Sequence, residues 1–372
     1  MSSVSGTGTI TSAGVGSGLD VESIVTKLVA IESQPITTLK TAESKLQTQL
    51  SEWGKVKSAL SDLNDAAQKL TLPTTWNITT ATSSDTSSVN VSTDANAVAG
   101  SYSIAVTSLA AAQTLASAAQ TSATATLGSG TLHIKAGTAT AIDVSISSTD
   151  TLKDIASKIN SASSTVKASV VTDATGTRLV MRGTTGAANT FTVTTDDGDG
   201  DNTDASGLSA LAYDPSSSVT QMTQTQAAAN STATINGLTV TGTSNTITAI
   251  DGLTITLSKL TSAVDVTVKP DTDSISTSVN DFVKAYNSLQ SLLAADTKYD
   301  AGTKTAGTLQ GDNTAVSLQN QLRSLMGGVT SASSTFTRLS DIGLAIQDDG
   351  SVKVDSTKLS SALGNLSEVK KM

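Results

Sequence analysis

The period of the hydrophobic pattern changes twice along this chain of 372 residues, and each change marks a change of secondary structure. Apolar residues recur every seven positions between residues 36 and 70, which is typical of a packed α-helix. From Pro73 to Pro270 they alternate in short runs with Ser and Thr, which is typical of half-buried β-strands. Helical spacing then returns. The sequence therefore predicts an α+β multidomain protein whose helical base is built from both chain ends.

The seven-residue pattern predicts a helix with an apolar seam. Its two rows are Leu39, Leu46, Trp53, Leu60 and Ala67, and Ala42, Gln49, Val56, Leu63 and Leu70. The same periodicity fits a helix packed into a bundle of its own chain and an intermolecular coiled coil, and both hold together in an oligomer. In the returning helical stretch, Phe282 and Tyr286 are expected in the same helical core or oligomer seam as Trp53.

The β-rich middle contains one helix. Residues 151–162 place Leu152, Ile155 and Ile159 on one helical face, and residues 166–183 read as two strands around a glycine turn. Because helical patterns flank this region on both sides, we expect the β-rich part to be inserted into the helical base.

Composition excludes several classes of function. Aromatic residues make up only 2% of the chain, so large aromatic-lined pockets are not expected and a typical enzyme is disfavoured. The net charge is −9 and Lys and Arg do not cluster, which removes the electrostatic basis for binding nucleic acid. There is no cysteine, so disulfides and thiolate metal sites are excluded.

The amino terminus, MSSVSGTGTITSAG, has no basic region followed by an apolar core, so a Sec signal peptide is not expected. No apolar run reaches the length of a membrane span. If the protein is exported, it is expected to leave by another route.

Two sequence motifs resemble ligand sites and depart from them in specific ways. GVGSGLD, residues 14–20, precedes a helical pattern but lacks the glycine spacing and the lysine of phosphate-binding loops. Asp197, Asp199 and Asp201 match the opening of a calcium loop, but Asn202 and Leu208 stand where Gly and Glu are needed. We expect a flexible leader and a solvated acidic turn, with calcium binding as the alternative for the acidic turn.

No catalytic set is recognisable. His133 is the only histidine and lies on a predicted strand, so it is interpreted as structural. Ser164 and Lys167 have the spacing of a Ser-Lys pair, but no companion motif supports that interpretation. The protein is predicted to be no enzyme and to bind no metal or cofactor.

Several stretches, in their order along the chain, resemble the flagellar hook-associated protein 2 family, the filament cap proteins. They are GVGSGLDVESIVTKLVAIESQP with the following heptads, AGSYSIAVTSLA, TLKDIASKIN, VKASVVTDATGTRLVMRG, GAANTFTV, INGLTV, DGLTITL, FVKAYNSL, GTLQGD and LSDIGLAIQDDGSVKVDSTKLSSAL. Each stretch alone is a weak signal, whereas their order across nearly the whole chain is specific.

The resemblance implies a helical leg domain that carries two β-rich head domains. The implied boundaries are a flexible leg segment over 1–35, a helical leg domain over 36–72 and 273–372, a first head domain over 73–107 and 228–272, and a distal head domain over 108–227. It also implies leg residues that contact the filament: Gly16, Gly18, Leu19, Val21, Ile24, Val25 and Leu28. For this leg segment, a signal-like or disordered stretch is the alternative.

The resemblance further implies an extracellular protein at the distal tip of the bacterial flagellum, exported by the flagellar type III apparatus. The implied partners are other copies of the chain in a homo-oligomeric cap, flagellin, hook-filament junction proteins and the export apparatus. Host surface glycans are a further candidate, with no nucleic-acid or membrane partner. Family members usually continue into a further C-terminal helical segment, and we expect the leg of this chain to lack that partner.

Two other classes fit the same pattern of helical ends and a β-rich middle. One is a flagellin-like filament subunit, against which the cap-like internal stretches argue. The other is a free extracellular adhesin, for which the chain carries no recognisable motif.

Overall fold

A computed structural model of the chain describes residues 20–372 and divides it into two compact units. Residues 20–76 and 272–372 belong to the first unit, and residues 77–271 form the second. The α-helices of the described residues are α1 Val21–Thr71, α2 Pro73–Trp76, α3 Leu152–Ala162, α4 Thr272–Thr297, α5 Asn313–Met326, α6 Ser356–Leu363 and α7 Leu366–Val369. Short 3-10 turns cover Ala187–Asn189, Gly207–Leu211, Pro215–Ser217 and Leu339–Ile342.

The strands occupy most of the second unit. In chain order they are β1 Thr79–Ser83, β2 Val89–Thr93, β3 Gly100–Ser108, β4 Ala112–Ala116, β5 Gly130–Ala136, β6 Ile142–Ile146, β7 Lys167–Asp173, β8 Gly176–Thr185, β9 Phe191–Asp197, β10 Tyr213–Asp214, β11 Val219–Thr220, β12 Thr223–Gln226, β13 Ser231–Ile235, β14 Leu238–Gly242, β15 Thr246–Ile250, β16 Leu253–Leu257, β17 Thr261–Pro270, β18 Tyr299–Asp300, β19 Thr305–Ala306, β20 Leu344–Ile346 and β21 Val352–Val354.

The first unit is helical, and its core lies between α1, α4 and the C-terminal elements. Buried residues of α4, among them Ile275, Val279 and Leu289, face Val56 and Leu63 of α1. The small β20–β21 hairpin and α6 complete this core. The helical spacing that returns after Pro270 in the sequence is thereby confirmed as α4.

The long helix α1 begins directly after GVGSGLD, where the sequence shows a helical pattern, and it continues without a break through Pro35. We expected residues 1–35 to carry little fixed structure, and for residues 21–35 this is wrong, because α1 begins at Val21 and continues past Pro35. The helix begins where Asp20 accepts a hydrogen bond from the Ser23 N–H (3.0 Å), and Glu22 lies in the positive first turn. Residues 1–19 lie outside the described part of the chain.

The second unit contains two hydrophobic clusters. One lies under the sheet β1-β17-β3-β13-β14 and the sheet β15-β16-β2, with Ile104, Ile255 and Val266 at its centre. The chain leaves this cluster after β3 and returns before β13. There the backbones of Ala111 and Ala229 exchange two hydrogen bonds of 3.0 Å.

The other cluster lies between the sheet β11-β10-β9-β5-β6, the sheet β12-β4-β8-β7 and α3. The predicted helix is confirmed, with Leu152, Ile155 and Ile159 all buried on its inner face. The predicted strand pair around the glycine turn is confirmed as β7 and β8, and Gly176 has a φ of +141° at the turn. The α+β organisation predicted from the change of period is thus observed.

Candidate functional site

The N-terminal half of α1 exposes a continuous apolar stripe. Ile24, Val25 and Leu28 start the stripe at helical spacing, and all three are about half exposed. It continues through further exposed residues: Val29, Ile31, Ile36, Leu39, Leu46 and Leu50. An amphipathic helix normally buries such a face, so this half of α1 has an apolar surface available for a partner.

Hydroxyl groups on α1 bond within the helix itself. Thr26, Thr37 and Thr41 each donate to the carbonyl four residues earlier, at 2.8 to 3.1 Å. Such back-bonding satisfies the hydroxyls locally. These three hydroxyls therefore need no hydrogen-bond partner outside the helix. The exposed apolar side chains, by contrast, leave the water only if a partner covers them.

The predicted filament-contact residues are only partly described. Gly16, Gly18 and Leu19 lie outside residues 20–372, and of Val21 only the backbone position in α1 is described. Ile24 and Leu28 lie about one turn apart on the exposed stripe, and Val25 lies beside Ile24. Val29, Ile31, Ile36 and Leu50 are not among the residues predicted from the sequence, although their apolar character next to the heptad rows was a usable signal.

The C-terminal half of α1 packs against α4. Val56 and Leu63 are buried, and Trp53 and Phe282 are half-buried against the same cluster. Tyr286 is fully buried, its hydroxyl donates to the Gly350 carbonyl (3.1 Å), and burial raises the pKa of this hydroxyl. These predicted seam residues therefore lie in the core of the chain's own helical unit.

One of the two predicted heptad rows is largely outside that core. Leu39 is 70% exposed, Leu46 is 65% exposed and Leu60 is 39% exposed. The partner helix α4 lies along the other row, with Ala59 rather than Leu60 at the next inward position. A helix meets one straight neighbour along one narrow stripe, so an apolar band wider than that stripe leaves residues in solvent.

A polar cluster marks the point where the buried part of α1 begins. Glu52 and Lys55 form an ion pair (2.8 Å), and Gln49 donates to the Thr308 carbonyl (3.2 Å). Near them, Oδ2 of Asp296 is buried and has no hydrogen-bond partner. Burial and the nearby Glu52 carboxylate raise the pKa of Asp296.

The acidic loop after β9 is stabilised by its own side chains. Asp199 and Asp201 accept backbone N–H groups of the loop at 3.0 Å each, and Oδ2 of Asp197 accepts the Ser209 N–H at 2.6 Å. Hydroxyl donors on Ser206 and Ser209 hold the pKa of Asp204 below its usual range. The carboxylates are thus used as turn caps.

His133 on β5 bridges three strands of the sheet β11-β10-β9-β5-β6. Its Nδ1 lies 2.6 Å from Oδ1 of Asp143 on β6, and its Nε2 lies 3.1 Å from Oδ2 of Asp196 on β9. The Asp143 hydrogen bond is the main cause that raises the pKa of the imidazole. The two carboxylates lie on opposite ring nitrogens, an arrangement that suits a cationic imidazolium.

Lys167 is used structurally as well. Its Nζ donates to the carbonyls of Asn160 (3.2 Å) and Ser163 (2.7 Å) at the end of α3, while Ser164 is exposed. Among residues 20–372, no three His, Cys, Asp or Glu side chains are grouped so that they suit a metal ion. In the same range, no helix has the length and hydropathy needed to cross a membrane.

Comparison with known proteins identifies the family. Three family models match: the flagellar hook-associated protein 2 N-terminus over residues 17–113, its C-terminus over 228–372, and the flagellin hook IN motif over 131–185. The flagellar hook-associated protein 2 of Escherichia coli K12 is 34% identical over 371 residues, which cover 95% of this chain and 78% of the relative. The chain belongs to the flagellar hook-associated protein 2 family.

Other members of the hook-associated protein 2 family match over the same extent. The B-type protein of Pseudomonas aeruginosa is 32% identical and covers 95% of this chain and 77% of its own length. Among solved structures, the D1-D2-D3 domains of the flagellar cap protein FliD from Escherichia coli superpose with a TM-score of 0.70 at 31% identity. That match covers 87% of this chain and 90% of the solved one, so it includes both the helical and the β-rich parts.

Proposed function

We propose that this chain is a structural cap at the distal tip of the bacterial flagellar filament. One observation carries the proposal: the D1-D2-D3 domains of a flagellar cap protein match 87% of this chain with a TM-score of 0.70 and 31% identity. The cap is proposed to promote folding and insertion of exported flagellin and to prevent its loss to the medium. Its role is structural rather than catalytic.

The exposed stripe on α1 supports a specific place for the filament contact. Ile24, Val25 and Leu28 present apolar side chains on a helix that extends beyond its packing against α4. Apolar surface of this kind is stabilised when a partner removes it from water, at roughly 25 cal/mol per Å². We therefore propose that this stripe contacts the growing end of the filament. Leu39, Leu46 and Leu60 extend the same surface and are proposed for contacts between copies of the cap.

The proposed location is the extracellular end of the flagellum, reached through the flagellar export apparatus. Flagellin, other copies of the chain and hook-filament junction proteins are the proposed partners. Host glycans stay a candidate partner, for which residues 20–372 show no specific site. The adhesin and flagellin-like alternatives are favoured by no observation on the described residues.

The test is complementation of a strain that lacks the gene, with unpolymerised flagellin in the medium as the readout. The wild-type gene is expected to abolish the leakage. The gene carrying Leu28→Asp is expected to leave the flagellin leakage in place, because the substitution puts a charge on the exposed stripe. The matched control is Thr37→Asp, which places the same charge on an exposed, non-apolar position of α1 and is expected to behave as wild type.

If the wild-type gene does not reduce leakage, the cap function is wrong. If the wild-type gene works and Leu28→Asp works equally well, the cap function holds and the stripe is not the filament contact.

A further inference from the structure

Three segments of the helical unit meet where α1 passes the end of α4. Gln49 of α1 donates to the Thr308 carbonyl (3.2 Å), and the Leu309 N–H donates to the Asp296 carbonyl at the end of α4 (2.9 Å). The fit is close, because a Cβ at Gly307 would lie only 2.2 Å from that carbonyl oxygen of Asp296. This short segment after β19 therefore connects the two helices.

The side chain of Asp296 is poorly accommodated at this junction. Its Oδ2 is buried and has no hydrogen-bond partner, although the oxygens of an ionised carboxylate are strong acceptors. The charged groups that face it are Glu52 and Lys55 of α1, and residues 307–309, Gly-Thr-Leu, carry no charged side chain. An ionised carboxylate in this position loses water and receives no donor in exchange.

Lys55 neutralises Glu52 rather than Asp296. Its Nζ lies 2.8 Å from Oε1 of Glu52, whose side chain is 15% exposed. The hydrogen bond to Glu52 is the main cause that raises the pKa of Lys55, and the charge of Asp296 contributes least. Two carboxylates thus share one ammonium group. Burial, and after it the Glu52 charge, therefore raise the pKa of Asp296.

The helix α1 is also weak at this turn. Gly54 is exposed, and no atom lies within 4 Å of a Cβ built at its position, so packing does not require a glycine there. Inside a helix, glycine is less favourable than alanine because its backbone has more freedom to lose. A small change in the contact with Asp296 therefore has a measurable local effect on α1.

We propose that Asp296, Glu52 and Lys55 form a proton-dependent clamp, which holds α1 to the end of α4 more firmly when Asp296 is protonated than when it is ionised. A protonated Asp296 carries an O–H donor, for which the Glu52 carboxylate is an acceptor, and the repulsion between the two groups is gone. In the ionised state the repulsion is present and the buried oxygen has no donor.

The clamp lies at the point where α1 changes its environment. The exposed apolar stripe is on its N-terminal side, and the part of α1 that packs on α4 is on its C-terminal side. The clamp therefore sets how firmly the half of α1 that carries the stripe is held by the helical unit. The inference rests on the contacts of this junction and does not depend on the proposed cap function.

The sign of the pH dependence distinguishes the clamp from other carboxylates of the helical unit. The pKa of Asp296 is raised above 3.8, so the stabilisation is fully present below that unfolded value and is lost as the pH rises through the folded pKa. Glu368 behaves in the opposite way, because Lys371 and two serines lower its pKa to about 2. Its stabilisation is present above the unfolded value of 4.5 and is lost in acid. The clamp must therefore be measured locally.

The test is hydrogen exchange of the full chain, followed by mass spectrometry of peptides that cover residues 49–56 and corrected for the intrinsic exchange rate at each pH. In the wild-type chain, protection of these amides is expected to rise when the pH is lowered from 7 to 4.5. Asp296→Asn mimics the protonated state, and it is expected to raise protection at pH 7 by about threefold and to remove the rise in acid. The matched control is Asp62→Asn, an exposed position of the same helix, which should behave as wild type.

A second variant tests the role of Glu52. Glu52→Gln removes the like charge beside Asp296, so the change in protection between pH 7 and pH 4.5 is expected to become smaller than in the wild-type chain. Equal protection of the wild-type chain and Asp296→Asn at pH 7 would overturn the clamp. An unchanged pH response in Glu52→Gln would overturn the part that this proposal assigns to Glu52.

Discussion

Individual side chains in the sheet β11-β10-β9-β5-β6 are placed by charge as well as by packing. His133 lies on the outer face of β5, between Asp143 on β6 and Asp196 on β9. Lys135 is the charged residue two positions along on the same strand face, and the residue across from His133 on β9 is Thr194. Two carboxylates thus act on one imidazole, which favours its protonated form.

We predict that the pKa of His133 lies above 6.5 in the folded protein. A raised pKa means that the interaction stabilises the fold below the unfolded value near 6.5, and that this stabilisation is lost as the pH rises through the folded pKa. The chain has one histidine, so a single imidazole signal in an NMR pH titration reports the value.

Asp143→Asn should lower that pKa more than Asp196→Asn, because the Asp143 hydrogen bond is the largest contribution. Asp199→Asn, in the acidic loop without contact to the ring, serves as the control and should leave the titration unchanged. A folded-state pKa at or below 6.5 would contradict the arrangement.

At the residue scale, sequence reasoning recognised isolated residues but not their partners. It interpreted His133 as structural, yet nothing in the local pattern indicated that Asp143 and Asp196 lie on either side of it. Those contacts follow from the strand order β9-β5-β6, which is set by long-range pairing. Local spacing does not encode such pairings.

At the scale of single elements, α1 combines two halves with different environments. From Gln49 onward it packs on α4, whereas its N-terminal half presents an apolar stripe. The seven-residue period predicted the helix and one seam row correctly, as Val56 and Leu63 show. It did not distinguish that row from the row of Leu39, Leu46 and Leu60, because both are apolar and only the position of α4 decides between them.

The sequence showed a helical pattern directly after Asp20, but it did not predict that this helix continues through Pro35. Pro35 lowers the expectation of a helix because proline removes a backbone donor and crowds the preceding turn. The helix α1 is nevertheless continuous from Val21 to Thr71, and Asp20 caps its first turn. The sequence signals on either side of Pro35 were therefore more informative than the proline itself.

We predict that shortening a side chain lowers the stability of the helical unit much more on the buried face of α1 than on its exposed face. Val56 is 2% exposed, so Val56→Ala should destabilise the helical unit by about 2 kcal/mol through lost burial and the cavity left behind. Leu60→Ala, one turn further on the exposed side, is the matched control and should change stability by less than about 0.5 kcal/mol.

Tryptophan fluorescence during denaturant unfolding measures this difference selectively. The chain contains two tryptophans, Trp53 and Trp76, and both belong to the helical unit. An equal loss of stability for Val56→Ala and Leu60→Ala would show that α4 does not lie along the Val56 row.

At the scale of the whole molecule, the change of hydrophobic period predicted the division of the chain. The helical unit takes residues from both ends, and the β-rich unit is one continuous insertion from 77 to 271. The sequence predicted this order because period and composition change at Pro73 and Pro270. It did not predict the strand order within sheets, which depends on contacts between distant segments.

We predict that residues 77–271 fold in isolation. The two ends of this unit are paired, since the Asp271 N–H donates to the Ile78 carbonyl (2.9 Å) and β1 pairs with β17 along its length. Removing the helical unit therefore leaves the ladder intact. A fragment starting at residue 84, which lacks β1 and exposes β17, is the control and should melt at a lower temperature by circular dichroism. Equal melting temperatures would show that β1 does not stabilise the unit.

The proposed division into a first and a distal head domain is tested in the same way. Residues 108–227 surround their own hydrophobic cluster, and the chain enters and leaves it beside the Ala111 and Ala229 pair. This fragment is expected to show a cooperative thermal transition of its own. If this fragment remains unfolded, the two hydrophobic clusters of residues 77–271 belong to one folding domain and the division is wrong.

The central claim is that this member of the hook-associated protein 2 family caps the flagellar filament. The most direct measurement is immunogold electron microscopy of an epitope-tagged chromosomal copy in the source bacterium. The account predicts gold only at the distal ends of filaments. Gold along the whole filament would indicate a filament subunit, and gold on the cell body would indicate an adhesin; either result would contradict the claim.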